Sequence, residues 1–204
     1  MNLIERVKNI LLKPKQEWQT ISQEQPNVQA IITSYVLPLA LVAAVATFLG
    51  LVLIGTPAGI FRYKSTDLGL YYGIRVLVGS IGSVFLSAFV IDILAPNFGS
   101  EKNMDRSIQL VAYSFTPTLL GGIFSIVPSL AVLGMLAGIY GLYLLYIGLP
   151  PLKKTKEDQH GTYFVVSLLV MVVVYMIVFF IIGKILAAIF GTAMFGVDSI
   201  NISL

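Results

Sequence analysis

The sequence predicts an all-α fold, a polytopic membrane bundle of five transmembrane helices behind a short amphipathic segment, and three observations predict it. Only 11% of the residues are charged, 57% are hydrophobic, and the mean hydropathy is +0.89; a soluble domain carries about 25% charged residues. The apolar residues gather into runs of the length that crosses a bilayer core, about 20 helical residues for roughly 30 Å. Five such runs, at about residues 30–54, 74–95, 108–127, 130–149 and 163–184, place one membrane domain at 30–196, between an N-terminal segment 1–29 and a tail 197–204. The third and fourth are separated only by Pro128 and Ser129, so they form a tight helical hairpin.

The N-terminal segment is the one sizeable polar stretch. Leu3, Ile4, Val7, Ile10 and Leu11 recur at helical spacing with Arg6, Lys8 and Lys13 between them, the pattern of a helix lying in the interfacial plane with its bases toward anionic headgroups. Pro14 ends or restarts that helix. Trp18 and Ile21 follow one turn apart, and Trp18 suits the headgroup level as a membrane-interface anchor. The segment either orients the protein on the lipid bilayer or docks a cytosolic protein partner. Arg6 and Lys8 interrupt the early apolar residues and no small-residue cleavage site follows, so the N-terminus is expected to be retained.

Pro38 is expected to kink the first span. Phe61, Tyr63, Tyr71 and Tyr72, in the polar connection 55–73, read as an interfacial aromatic belt. The second span contains Arg75 and Asp92. An ionisable residue within a span is a functional candidate by default, but both lie near the ends, where snorkelling explains them; Asp92 could also meet Lys102 or Arg106. Gly79, Ser83 and Ser87 form a small-residue stripe that admits a neighbouring helix. Asp105 opens the third helix, where its charge favours the dipole. Within that helix Pro117 and the pair Gly121–Gly122 predict a bent or locally unwound backbone, with Tyr113, Ser114 and Thr116 in its first half. Gly134, Gly138 and Gly141 give the fourth helix a close-packing face, and Pro150–Pro151 are expected to stop it. Lys153, Lys154, Lys156 and His160 then fall in a loop. Lys184 ends the fifth span as a snorkelling interface anchor, with Gly183, Ala187 and Gly191 as a further small-residue stripe. The glycine faces permit a homo-oligomer without demanding one.

The bases decide orientation. Arg6, Lys8, Lys13, Lys15, Lys102, Arg106, Lys153, Lys154 and Lys156 fall on the N-terminal side and only Arg62 and Lys64 clearly opposite. The positive-inside rule then predicts a cytoplasmic N-terminus and an outside C-terminus.

Chemistry is sparse in this chain. It has one histidine and no cysteine, too few ligands for a transition-metal shell, and none of the phosphate-cradling, dinucleotide or nucleophile-elbow motifs. Asp92 is the sole acid within a span, so intramembrane aspartate-pair hydrolysis is also excluded. The expectation is a non-enzyme with no cofactor, no metal and no nucleic-acid partner. The bent third helix, with Tyr113, Ser114 and Thr116 around Pro117, keeps a second reading open: a small-solute or ion permease, which would need a hydrated cavity reaching Tyr113 and Thr116.

At Ala112-Tyr113-x-x-x-Pro117 the chain resembles the Ypt-interacting protein (Yip) domain family, whose third span carries glycine-tyrosine-x-x-x-proline; Ala112 stands where that family has glycine. Gly138-Ile139-Tyr140-Gly141-Leu142-Tyr143-Leu144-Leu145 with Gly148-Leu149-Pro150 is similar to the family's fourth span. Pro14-x-x-x-Trp18-x-x-Ile21-x-x-Glu24 is similar to its prokaryotic members. The resemblance implies five spans, a cytosolic N-terminus and a scaffold or adaptor role, set in the inner membrane for a prokaryotic member. Eukaryotic members engage Rab-type small GTPases and vesicle coats. Their aspartate-leucine-tyrosine-glycine-proline motif is missing here and the N-terminal segment is much shorter, so GTPase binding is not carried over to this chain.

Overall fold

The computed structural model describes residues 2–58, 61–127 and 130–190. Apart from a two-stranded hairpin, Thr56–Ala58 paired antiparallel with Phe61–Tyr63, the regular structure of the described residues is helical. Among the described residues five helices are long and apolar enough to cross a membrane: Val28–Ile54, Thr66–Phe98, Met104–Ile126, Val132–Lys153 and Glu157–Val178. Ahead of them α1 (Leu3–Leu12) and α2 (Pro14–Gln23) fold back on each other. The Asn2 side chain accepts from the Ile4 and Glu5 amides to start α1, and Pro14 occupies the first turn of α2, where its missing N–H costs nothing.

Irregular backbone marks the first and third spans. In the first, α3 (Val28–Ile31) passes into a π-helical stretch Ile32–Val36 just before Pro38, continues as α4 (Leu37–Leu49), and ends in a second π-helical stretch, Gly50–Ile54. Proline cannot donate to the carbonyl one turn back, and a widened turn absorbs the clash. A Cβ on Gly50 would stand 2.4 Å from the Ser125 carbonyl oxygen, so only glycine lets this end of the first span meet the third. The third span is broken into α6 (Met104–Ser114), α7 (Thr116–Gly121) and a 3₁₀ stretch, Gly122–Ile126.

The remaining spans depart from the expected boundaries for local reasons. The second, α5 (Thr66–Leu94), starts at Thr66 and not near 74, because the Ser65 hydroxyl caps it by accepting from the Leu68 amide at 3.2 Å. Tyr71 and Tyr72, expected in a connection, therefore lie on the helix. The fourth, α8 (Ala131–Lys153), runs through Pro150 and Pro151 and ends at Lys154, whose left-handed φ of 51° closes it. Pro150 withholds a donor from the Tyr146 carbonyl, and His160 Nε2 supplies one at 2.7 Å while its ring stacks on Tyr146 at 4.1 Å. Hence His160 is not a loop residue; it lies in the first turn of α9 (Glu157–Phe190), which begins earlier than 163.

The core lies between α2, α6 and α8, where Ile10, Trp18, Ile21, Leu110, Leu144 and Leu149 are all but fully buried. The outward stripes of α5, α8 and α9 are apolar and exposed, as helices facing lipid require.

Candidate functional site

The residues singled out in the third span converge on one polar and aromatic cluster beneath the N-terminal hairpin. Pro117 cannot donate to the Tyr113 carbonyl. The Thr116 hydroxyl donates to it instead, at 2.7 Å. Because that hydrogen is spent on a carbonyl, which can only accept, Thr116 Oγ1 accepts from the Tyr35 hydroxyl at 2.6 Å. The chain Tyr35–Thr116–Tyr113 thus ties the break in the third span to the π-helical turn of the first. Thr116 is 0% exposed and Tyr113 1%. Thr116→Val keeps the shape and removes both bonds; it is expected to lower stability by about 1–3 kcal/mol, the cost of orphaning a buried carbonyl and a buried phenol. A thermal unfolding series of the purified protein in detergent checks this, and an unchanged midpoint would show that the cap is dispensable.

Tyr113 is the hub of the aromatic contacts. Its ring meets Tyr35 edge-on at 4.9 Å, tilts against Trp18 at 6.4 Å, and lies 5.4 Å from the Arg6 guanidinium carbon, a range in which a cation is drawn to a ring face. Arg6 in turn ion-pairs with both Glu17 and Glu24. Burial disfavours the guanidinium charge, but the hydrogen bond to Glu24 and the surrounding carboxylates and Tyr113 outweigh it and leave the pKa above its ordinary value. Two expectations change here. Arg6 is buried under the hairpin and not turned to headgroups, and Trp18 is not a lipid-facing anchor; it is 1% exposed. The reason is Gly148, where an added Cβ would stand 2.8 Å from the Trp18 ring and 2.6 Å from Leu110. The indole fills the notch that the absent side chain leaves. Further ties seat the hairpin: the Tyr140 hydroxyl donates to the Leu11 carbonyl at 2.7 Å, and Arg106 Nη1 donates to the Ile21 carbonyl at 3.2 Å.

A second cluster joins the ends of the second, third and fourth spans. Asp92 pairs with Lys153 at 2.9 Å, not with Lys102 or Arg106. Lys153 is fully buried, and its ammonium also donates to Ser107 Oγ at 2.7 Å and to the Asn103 carbonyl at 3.1 Å. Asp92 Oδ1 further accepts from the Asn103 amide at 2.8 Å and from the Ser107 hydroxyl at 3.1 Å. Lys153 was expected in a loop because Pro150–Pro151 should have stopped the helix. Continuing the helix carries Lys153 into the bundle beside Asp92. Next to it, Lys154 at 2.7 Å holds the exposed Glu101 carboxyl below the usual carboxylate range.

The packing residues divide. Gly141 is required, since a Cβ there would stand 2.9 Å from the Ser114 carbonyl oxygen beside the break, and Gly134 lies against Gly121, whereas Gly79 and Gly138 face open space. Ser87 and Ser83 meet the fifth span through Tyr175, whose hydroxyl donates to the Ser83 carbonyl at 3.1 Å and lies 2.7 Å from Ser87 Oγ. Arg75 is exposed on α5, 6.0 Å from the Tyr72 ring centroid. Gly183, Lys184 and Ala187 lie on α9, with side-chain surroundings outside the described residues, as are Gly191 and the tail 197–204 altogether. Sequence reasoning missed Arg6 and Lys153 as buried groups. The signal was present for Arg6, which shares the helical stripe of Leu3, Val7 and Ile10.

A polar cleft of about 290 Å³ opens between the C-terminal end of α2, the connection before α6 and the end of α8, lined among others by Ser22, Glu101, Asn103, Asp105, Arg106 and Lys154. Among the described residues no group of three or more histidine, cysteine, aspartate or glutamate side chains is placed to hold a metal ion.

With this geometry in view, the sequence pattern of the Yip1 domain matches residues 8–181. The chain is also similar to the inner membrane protein YohC of Escherichia coli strain K12 and to that of Escherichia coli O6:H1. The identity is 26% over 156 residues in each case, covering 72% of this chain and 77% of the relative. No solved structure matches.

Proposed function

Since the chain belongs to the Yip1 domain family of membrane proteins, we propose that it is a non-enzymatic, membrane-organising scaffold or adaptor of a prokaryotic inner membrane, with the N-terminus in the cytoplasm and the C-terminus outside. The carrying observation is what the family motif does here: Tyr113 and Pro117 hold helices together. The proline breaks the third span, Thr116 and Tyr35 cap the freed carbonyl, and the Tyr113 ring receives the Arg6–Trp18 hairpin. The relatives' description as inner membrane proteins and the basic residues of the N-terminal side support the location and orientation. A cytosolic protein partner would meet the polar cleft beside Arg106 and Lys154, and a homo-oligomer would use the open glycine of α8, Gly138.

Purified protein in liposomes discriminates this from the permease. The scaffold reading expects no acceleration of ion or small-solute flux over empty vesicles. Flux that disappears on changing Thr116→Val would overturn it. For orientation, a C-terminal phosphatase fusion should be active and a C-terminal fluorescent fusion dark; the reverse would place the C-terminus in the cytoplasm.

A further inference from the structure

We propose that the outer face of the α1–α2 hairpin binds the phospholipid headgroups of a locally thinned bilayer, so that the leaflet dips along the α6–α8 flank of the protein. The argument is one of depth. Asp92 and Lys153 are joined at 2.9 Å, so they mark the same level on α5 and α8. On α5 the apolar residues Phe85, Phe89 and Ile93 are exposed up to that level, which sets the hydrocarbon boundary there. Beside α8, α2 runs in the same direction in nearly even register: Trp18 abuts Gly148, and Ser22 shares the cleft with Lys154. The hairpin therefore descends toward its tip, and the Tyr140 hydroxyl meets the Leu11 carbonyl at 2.7 Å. From residue 140 to 153 the helical rise is about 20 Å, and the hydrocarbon core is about 30 Å thick. A tilt of about 20° and the reach of a tyrosine side chain still leave the tip deep in the hydrocarbon defined by α5.

Yet the tip is polar. Lys13, Lys15 and Gln16 are exposed there, with Lys8 and Gln19 above them. Snorkelling lifts an ammonium only by the length of its stem, and sinking several lysines into hydrocarbon costs more than thinning the bilayer around them. The occupant follows from the charge and the pattern. Glu17 and Glu24 are engaged by Arg6, which leaves Lys8, Lys13 and Lys15 against Glu5 on the exposed face. Ile4 and Leu12, 77% and 69% exposed, flank Lys8 at helical spacing. Apolar residues alternating with bases suit an anionic headgroup layer with acyl chains beneath it. The proposal rests on the five spans being embedded and not on the scaffold role, so the failure of one leaves the other standing.

The chain contains no cysteine and a single tryptophan, which makes the test direct. Single cysteines are introduced as Lys15→Cys and, at the equivalent level on α5, Phe85→Cys, at an exposed position, in nanodiscs of phosphatidylglycerol and phosphatidylethanolamine, where both faces are open to reagent. A membrane-impermeant maleimide is expected to label Lys15→Cys roughly an order of magnitude faster than Phe85→Cys, since only the former is hydrated. A nitroxide at 15 should be quenched by an aqueous nickel chelate and one at 85 by oxygen. Unchanged Trp18 emission confirms that each variant retains the docked hairpin. As a second readout, wild-type protein should unfold at a higher temperature in short-chain than in long-chain phosphatidylcholine. Equal protection of both cysteines would overturn the proposal, as would spontaneous disulfide dimers of Lys15→Cys in the nanodisc, which would put a second copy on this face.

Discussion

Replacing Lys153 with methionine is expected to destabilise the protein by about 3–5 kcal/mol, the cost of leaving a buried charge without its partner. The side chains of Lys153 and Asp92 are 0% and 10% exposed, so little solvent is available to compensate the stranded carboxylate. The measurement is unfolding of the purified protein in detergent, followed by circular dichroism. The informative comparison is Lys153→Met with Asp92→Leu. Removing both charges also removes both desolvation costs, so the double variant should recover much of the loss. Its recovery should be incomplete, because the Asn103 amide and Ser107 hydroxyl then lose an acceptor. A double variant as unstable as the sum of the singles would mean that the ion pair is not the unit that joins the second and fourth spans.

Substituting Arg6 by alanine is expected to unseat the hairpin. The loss should be about 2–3 kcal/mol, below the full value for a buried pair because the Glu24 side chain is 37% exposed and partly solvated without its partner. Trp18 reports the event, being the single tryptophan: its emission should shift to the red and its quenching by iodide should rise as the indole leaves the Gly148 notch. Arg6→Lys should rescue only partly, because one ammonium cannot bridge two carboxylates with the planar fork that a guanidinium presents. Gly148→Val should unseat the same hairpin from the other side, by filling the notch. If emission stays blue in both variants, Arg6 and Gly148 do not hold the hairpin.

Spans were legible in the sequence because lipid imposes a one-dimensional rule. A helix must carry an uninterrupted apolar run of a set length, and that run is visible without a partner. The bend at Pro117 was legible for the same reason: a missing N–H is a local fact. The fate of the freed carbonyl was not, since Thr116 is a neighbour in sequence but Tyr35 belongs to another span. Pro150–Pro151 shows the limit from the other side. Local chemistry says that the helix should stop there, and His160, from the next helix, supplies the donor that the Tyr146 carbonyl lost to Pro150. Gly148 and Trp18 carry no sign in the sequence that one is the seat of the other.

By itself, then, the sequence determined the helical class, the number of spans, the site of the break in the third and the residues that carry the family motif, because each follows from properties local to a run of residues. Only the tertiary structure decided where the charges and aromatics go. Arg6 and Lys153 look like interfacial bases in sequence and are buried in the fold, because their partners Glu17, Glu24 and Asp92 lie beyond the reach of any local pattern. A charge leaves water only when a distant opposite charge is brought to meet it, and bringing such groups together is the part of folding that no single stretch of chain encodes.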